Sequence, residues 1–124
     1  KYESYCNLNR EEVLEQYKKS DLLLFASTFE GFGLPILEAQ AVGRAVLTSN
    51  IDPINSISGN GACLVDPFNP ISIREGILKI IKDKNYRKFI IKCGFENVHN
   101  YSAQRITKEY LSIYKSLYYL NKNK

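Results

Sequence analysis

Three short apolar runs decide what this chain can become. They are LLLFAS at residues 22–27, AVLTSN at 45–50 and CLVDP at 63–67. None alternates apolar with polar residues. A run of this kind fits a strand covered on both faces, which is the condition of a parallel sheet. The segment LPILEAQAV, residues 34–42, joins the first two runs. Pro35 suits its first helical turn, where a missing N–H costs nothing, and Gly43 suits its end. Strand, helix and strand in succession place the first two strands parallel.

The flanking segments extend the pattern. Residues 2–6 (YESYC) alternate weakly and are predicted as a further strand. Asn9 stands three residues before Glu12, the spacing of a capping box, and Val13, Leu14 and Tyr17 give the helix that follows one apolar face. Ser20-Asp21 ends it. Residues 51–61 (IDPINSISGNG) are predicted as a loop. Asn69-Pro70 and Asp83 mark two more helix starts. Ile73, Ile77, Ile80 and Ile81 recur at helical spacing on the first of these. Phe89, Ile90 and Cys93 face inward on the second, which Gly94 weakens locally. Ser102 caps a last helix bearing Ile106, Tyr110, Ile113, Tyr114 and Leu117, and NKNK at residues 121–124 is a frayed polar tail. The expected fold class is α/β, a Rossmann-like parallel sheet of about four strands with helices on both faces. Four strands are few for a doubly wound domain, so residues 1–124 read as a single, partial domain, the later part of a larger one.

Composition narrows the function classes. The chain has 124 residues, of which 44% are hydrophobic, a globular balance rather than a disordered one. No apolar run approaches the roughly 20 residues that cross a bilayer. The chain opens KYESYCNLNREE, without a secretory pattern, and has no methionine, so a fragment or a chain with its start removed is expected. Net charge is +4. Lysines in KIIKDKNYRKFIIK read as a solvated helix face, and no nucleic-acid partner is expected; weak attraction to anionic lipid remains compatible with them. Three cysteines, Cys6, Cys63 and Cys93, are widely spaced. That spacing fits neither a disulfide framework nor a zinc site, and a cytoplasmic home is the simplest expectation. His99, the single histidine, has no ligand-spaced partner and is read as a helix-end residue.

The stretch FEGFGLPILE, residues 29–38, concentrates the chemistry. It follows the first strand, and in open α/β sheets ligands bind beyond the C-terminal ends of strands. Gly31 and Gly33 allow close backbone approach or positive φ. The helix starting near Leu34 turns its free N–H groups, about half a positive charge, toward the same space, where a phosphate fits. Glu30 lies on the loop before it. Glu38 lies about one turn into the helix and can look back at the same pocket. Carboxylates accept bonds from hydroxyl pairs, so the arrangement suits a nucleotide sugar. The same strand, glycine loop and helix also occur with no ligand, because a carboxylate near a helix start is favourable in itself.

The wider block SDLLLFASTFEGFGLPILEAQAVGRAVLTSN resembles the signature of the retaining glycosyltransferases of group 1 (family four), which have the GT-B fold. Glu30 and Glu38 match that family's E-x7-E motif. NREEVLEQYKKSD, GACLVDPFNP and YSAQRITKEYLSIY resemble its flanking segments, so the likeness covers nearly the whole chain. The resemblance implies the C-terminal, donor-binding domain. Glu30 would contact hydroxyls of the donor sugar and is the catalytic candidate, in a positioning and electrostatic role. Glu38 would hold the ribose. The backbone of Phe32, Gly33 and Leu34, beside Gly31, would meet sugar and diphosphate. No metal and no cofactor are implied; a nucleotide diphosphate sugar is the substrate.

The departures bear on completeness. The family's Pro-Glu pair after the third motif strand is here Asn55-Ser56, and a tryptophan after the last cap is here Ala103. The Arg/Lys pair that grips the diphosphate and the acceptor-binding N-terminal domain would lie upstream. The resemblance thus implies part of a hexosyltransferase acting on a glycan or lipid-linked acceptor, in bacterial surface polysaccharide synthesis, cytoplasmic or peripheral to the inner face of the membrane. By itself the chain is expected to be inactive, and its last helix to present an aromatic patch that favours self-association. Two alternatives stand beside this reading: a non-catalytic or partner-dependent module, and a GT-B relative such as a sugar-nucleotide epimerase.

Overall fold

The structure, a computed structural model, describes residues 2–122, with side chains through residue 120. Helix α1 (Arg10–Lys19) starts at a capping box: Asn9 Oδ1 accepts from the Glu12 N–H at 3.0 Å, and the Glu12 carboxylate accepts from the Asn9 N–H at 2.8 Å. Two otherwise orphaned donors are satisfied, a contribution of about 1 kcal/mol. The order continues β1 (Leu22–Phe25), α2 (Leu34–Ala41), β2 (Ala45–Ser49), α3 (Ile54–Ser58), β3 (Cys63–Val65), α4 (Pro70–Lys82) and α5 (Lys84–Val98). A 3₁₀ turn (His99–Tyr101) then leads into α6 (Ala103–Lys122). Asn69 and Asp83 cap α4 and α5, each accepting two backbone N–H bonds. Ser102 caps α6, its hydroxyl accepting from the Arg105 N–H. The tail predicted as frayed straddles the limit of description: α6 continues to Lys122, and residues 123–124 lie outside the described residues.

The sheet is parallel, in the order β1-β2-β3, with Leu22 opposite Ala45 and Leu47 opposite Cys63. Among the described residues it has three strands, not about four. Residues 2–6 form no strand, and Tyr2 is 92% exposed. A few alternating residues make a strand only where a neighbouring edge takes their backbone bonds, and no such edge meets them here. β2, the central strand, is buried along its length, whereas Leu24 on the edge strand β1 is 51% exposed.

Successive residues point to opposite faces. Ala45, Leu47, Cys63 and Val65 pack with Ile80 of α4 and Ile90 of α5. Val46 packs on the other face with Ile36 and Ala39 of α2 and Ile54 of α3, with Tyr17 of α1 at the margin. α3 replaces part of the loop predicted over 51–61. Its inward pair Ile54 and Ile57 is too short for a periodic signal, and packing beneath the sheet decides its state.

Two further expectations are corrected. Phe89 faces outward, at 55% exposure, while Ile90 is buried and Cys93 half-buried. Gly94 is not a weak point: α5 runs through it unbroken. A Cβ there would stand 2.9 Å from Gln40 Cγ, so glycine lets α5 lie close against α2. A buried polar network closes the same seam. Gln40 Nε2 donates to Ser58 O at 2.9 Å, and Asn97 Nδ2 donates to Gln40 Oε1 at 2.9 Å and to Ile57 O at 2.8 Å.

Candidate functional site

All three strands end on one edge of the sheet, and the loop after β1 rises from that edge. Hydroxyls at the end of β2 fix its root: Thr48 Oγ1 donates to Phe25 O at 2.9 Å, and Ser49 Oγ to Ser27 O at 2.5 Å. Ser27 Oγ in turn donates to Phe29 O at 3.1 Å. Beyond Phe29, itself 88% exposed, come Glu30, Gly31, Phe32 and Gly33.

Gly33 has φ +87° and is the N-cap of α2. The left-handed backbone favours glycine, and a Cβ would also crowd Ile36 Cδ1 at 3.2 Å. Gly31 differs, since a Cβ there would meet nothing within 4 Å and its backbone borders open space. α2 has no side-chain cap, no acidic residue in its first turn, and proline in that turn. Its positive end is therefore not compensated from within the helix, the condition under which an anion is favoured.

Glu30 is half-buried on the loop. Glu38 sits four residues into α2, exposed, and its Oε2 accepts from the Tyr17 hydroxyl at 3.0 Å. It lines a groove of about 430 Å³ between α1 and α2, with Leu8, Arg10, Leu14 and Tyr17 among its walls. Burial, and after it the Glu38 carboxylate, pushes the Tyr17 phenol well above its ordinary value, so Tyr17 remains a donor at neutral pH. Thus Glu30, Gly31, Phe32, Gly33 and Leu34 cluster at the start of α2, and Glu38 stands on the side of that helix turned toward α1.

Four contributors escaped sequence reasoning. Tyr17 counted only as part of an apolar face, although it orients Glu38. Thr48 and Ser49 counted as the end of a buried run, although they anchor the loop. Tyr101 forms a T-shaped pair with Phe32, with ring centroids 5.9 Å apart and planes at 80°. Only the hydroxyls of Thr48 and Ser49, polar groups at the end of an apolar strand, left a signal. Among the described residues no group of three His, Cys, Asp or Glu side chains converges as a metal site, and no helix is long and apolar enough to cross a membrane.

A parallel sheet whose strand ends carry a glycine loop and an uncapped helix start defines a Rossmann-like domain. The chain belongs to the family of glycosyl transferases group 1, which it matches over residues 3–96. It is 29% identical over 107 residues to the O-antigen chain mannosyltransferase B of Escherichia coli, an alignment covering 86% of this chain and 28% of that protein. Its fold is that of sucrose-phosphate synthase from Thermosynechococcus elongatus (TM-score 0.79, 22% identity, covering 94% of this chain and 30% of that one). It is also similar to the C-terminal domain of a glycosyl transferase group 1 family protein from Francisella tularensis (TM-score 0.66, 30% identity, covering 78% of this chain and 50% of that one). These neighbours are GT-B glycosyltransferases. The chain spans less than a third of the length of the mannosyltransferase it matches.

Proposed function

We propose that this chain is the nucleotide-sugar-binding part of a retaining glycosyltransferase, the C-terminal donor domain of a longer hexosyltransferase. The observation that carries the reading is the start of α2. Left-handed Gly33 delivers an uncapped, uncompensated helix end to the binding edge of the sheet, with Glu30 before it and Glu38 after it. In this reading the diphosphate lies at the helix end, the sugar hydroxyls bond Glu30, and the ribose hydroxyls bond Glu38. The Tyr17 hydroxyl holds Glu38 Oε2, which leaves Oε1 to accept from the ribose.

The chemistry follows from that placement. The bond from the anomeric carbon to the diphosphate oxygen breaks, the acceptor oxygen bonds that carbon on the same face, and the acceptor's proton passes to the departing diphosphate. The charge that develops is negative, and the N-terminal end of α2 stabilises it without reorganising. Glu30 orients the sugar and favours the positive character of the anomeric centre. No metal is required in this scheme. The acceptor is a glycan or a lipid-linked glycan on the cytoplasmic side, and the likeness to an O-antigen mannosyltransferase supports a place in bacterial surface polysaccharide synthesis.

Glu38→Ala tests the reading. Loss of a hydrogen bond to a charged group predicts nucleoside diphosphate binding weaker by about 1.5–3 kcal/mol by calorimetry. The fold survives, because the side chain is exposed. Equal affinity in wild type and variant rejects the ribose role.

A further inference from the structure

We infer that Tyr101 is a positioning residue for the loop that carries Gly31, Phe32 and Gly33, acting through the T-shaped packing of its ring with Phe32. The inference rests on the reading of that loop as donor-binding. Phe32 stands between a glycine beside open space and a glycine in the left-handed region. Hydrogen bonds anchor the chain on either side of it: Ser27 to Phe29 before, and the Ile36 N–H to Gly33 O at 3.0 Å after. Among the described residues none bonds residues 30–32. The contact that fixes the middle of the loop is the edge-to-face pair of Phe32 and Tyr101.

Tyr101 is well placed to hold. It is half-buried in the 3₁₀ turn at the end of α5, four residues after Asn97. Asn97 is bonded to Gln40 of α2 and to Ile57 of α3. The loop runs into α2, and the post that braces the loop is tied to the same helix. Loop and post therefore share one frame, and the Phe32 backbone keeps a fixed position relative to the start of α2. Without the ring, two glycines leave that backbone many conformations of similar energy. Donor binding would then carry the cost of ordering the loop.

Tyr101→Ala removes the ring and Tyr101→Phe keeps it; Tyr101→Leu keeps bulk without an aromatic ring, should the alanine variant fail to fold. In the ligand-free chain, NMR relaxation at the Gly31, Phe32 and Gly33 amides is expected to show larger amplitudes in the alanine and leucine variants. Tyr101→Phe is expected to match the wild type. Titration with uridine and guanosine diphosphates is expected to show affinity about two- to tenfold weaker for the first two, the range of one aromatic pair, and unchanged for the third. Unchanged amplitudes at residues 31–33 overturn the inference whatever the nucleotides do. Raised amplitudes with undiminished affinity overturn the link to the donor. A wild type that binds neither nucleotide, with the amplitudes responding as expected, instead rejects the donor reading and leaves the bracing by Tyr101 supported.

Discussion

Helices α5 and α6 follow one another across a single 3₁₀ turn, and both carry apolar residues at threes and fours. Their surroundings are opposite. α5 buries Ile90 to 1% exposure, and its Gly94 lies against Gln40. On α6 every side chain from residue 103 to 120 is exposed, including Tyr110 at 56% and Leu120 at 65%. Periodicity assigns a helix its apolar side; it does not supply what covers that side. On α5 the cover comes from the sheet, α4 and α2. On α6, Ile106, Tyr110, Ile113, Leu117 and Leu120 recur at alternating fours and threes, the spacing of a coiled-coil seam. With Tyr114 beside it, this stripe offers roughly 600 Å² per copy, so two copies reach the lower end of the area of a stable interface. Self-association through α6 is the outcome to be tested.

The contrast can be broken most sharply by truncation. Ile90→Ala is expected to cost about 2–5 kcal/mol in urea unfolding, as a cavity left in a closed core. Tyr114→Ala, in dilute protein, is expected to stay within about 0.5 kcal/mol. A cost for Tyr114→Ala as large as that for Ile90→Ala would mean that α6 is packed on its own domain.

Overpacking sharpens the same contrast on a smaller scale. Gly94→Ala forces a methyl against Gln40 Cγ and is expected to cost about 1–3 kcal/mol, whereas Ser112→Ala on exposed α6 is expected to be neutral. A neutral Gly94→Ala would show that α5 and α2 can separate without loss.

Association is the next test. Sedimentation is expected to show a mass that rises with concentration, and Leu117→Asp to weaken the association tenfold or more, about 1.4 kcal/mol. A chain that stays monomeric at high concentration removes the seam's significance.

The smallest effect concerns pH. Burial raises the phenols of Tyr17 and Tyr86 above their ordinary value of 10.0. A group that holds its proton more tightly when folded contributes stability that is complete below its unfolded value. That contribution is lost as pH climbs through the folded one. Stability is therefore expected to fall progressively above about pH 10. Tyr17→Phe and Tyr86→Phe together should flatten the decline in urea midpoints measured from pH 9 upward. A slope unaltered by both substitutions would place the titrating groups elsewhere, α6 included.

Much of the candidate site was legible in advance. FEGFG follows an apolar strand and precedes a proline-initiated helix, which places its glycines and Glu30 at the edge where the strands end. Of the two glycines expected to allow close approach or positive φ, Gly33 adopts positive φ and Gly31 does not. The bracing was not legible. Thr48 and Ser49 reach Phe25 and Ser27 over more than twenty residues of sequence, Tyr17 reaches Glu38 over a similar span, and Tyr101 meets Phe32 from the far end of α5. None of these pairs has a period or a fixed spacing.

What the sequence determined by itself is local. Asn9, Asn69 and Asp83 cap helices because an oxygen and the N–H groups it serves lie within three residues of one another, and the three apolar strands follow from continuous runs. The tertiary structure decided the rest: that residues 2–6 form no strand, that Ile54–Ser58 folds as a helix, that Gly94 is a contact rather than a weakness, and that α5 is covered where α6 is not. Each of those outcomes depends on what stands opposite a side chain or a backbone edge. The hydrophobic effect that rewards burial has no direction along the chain, so it acts only once distant segments have met.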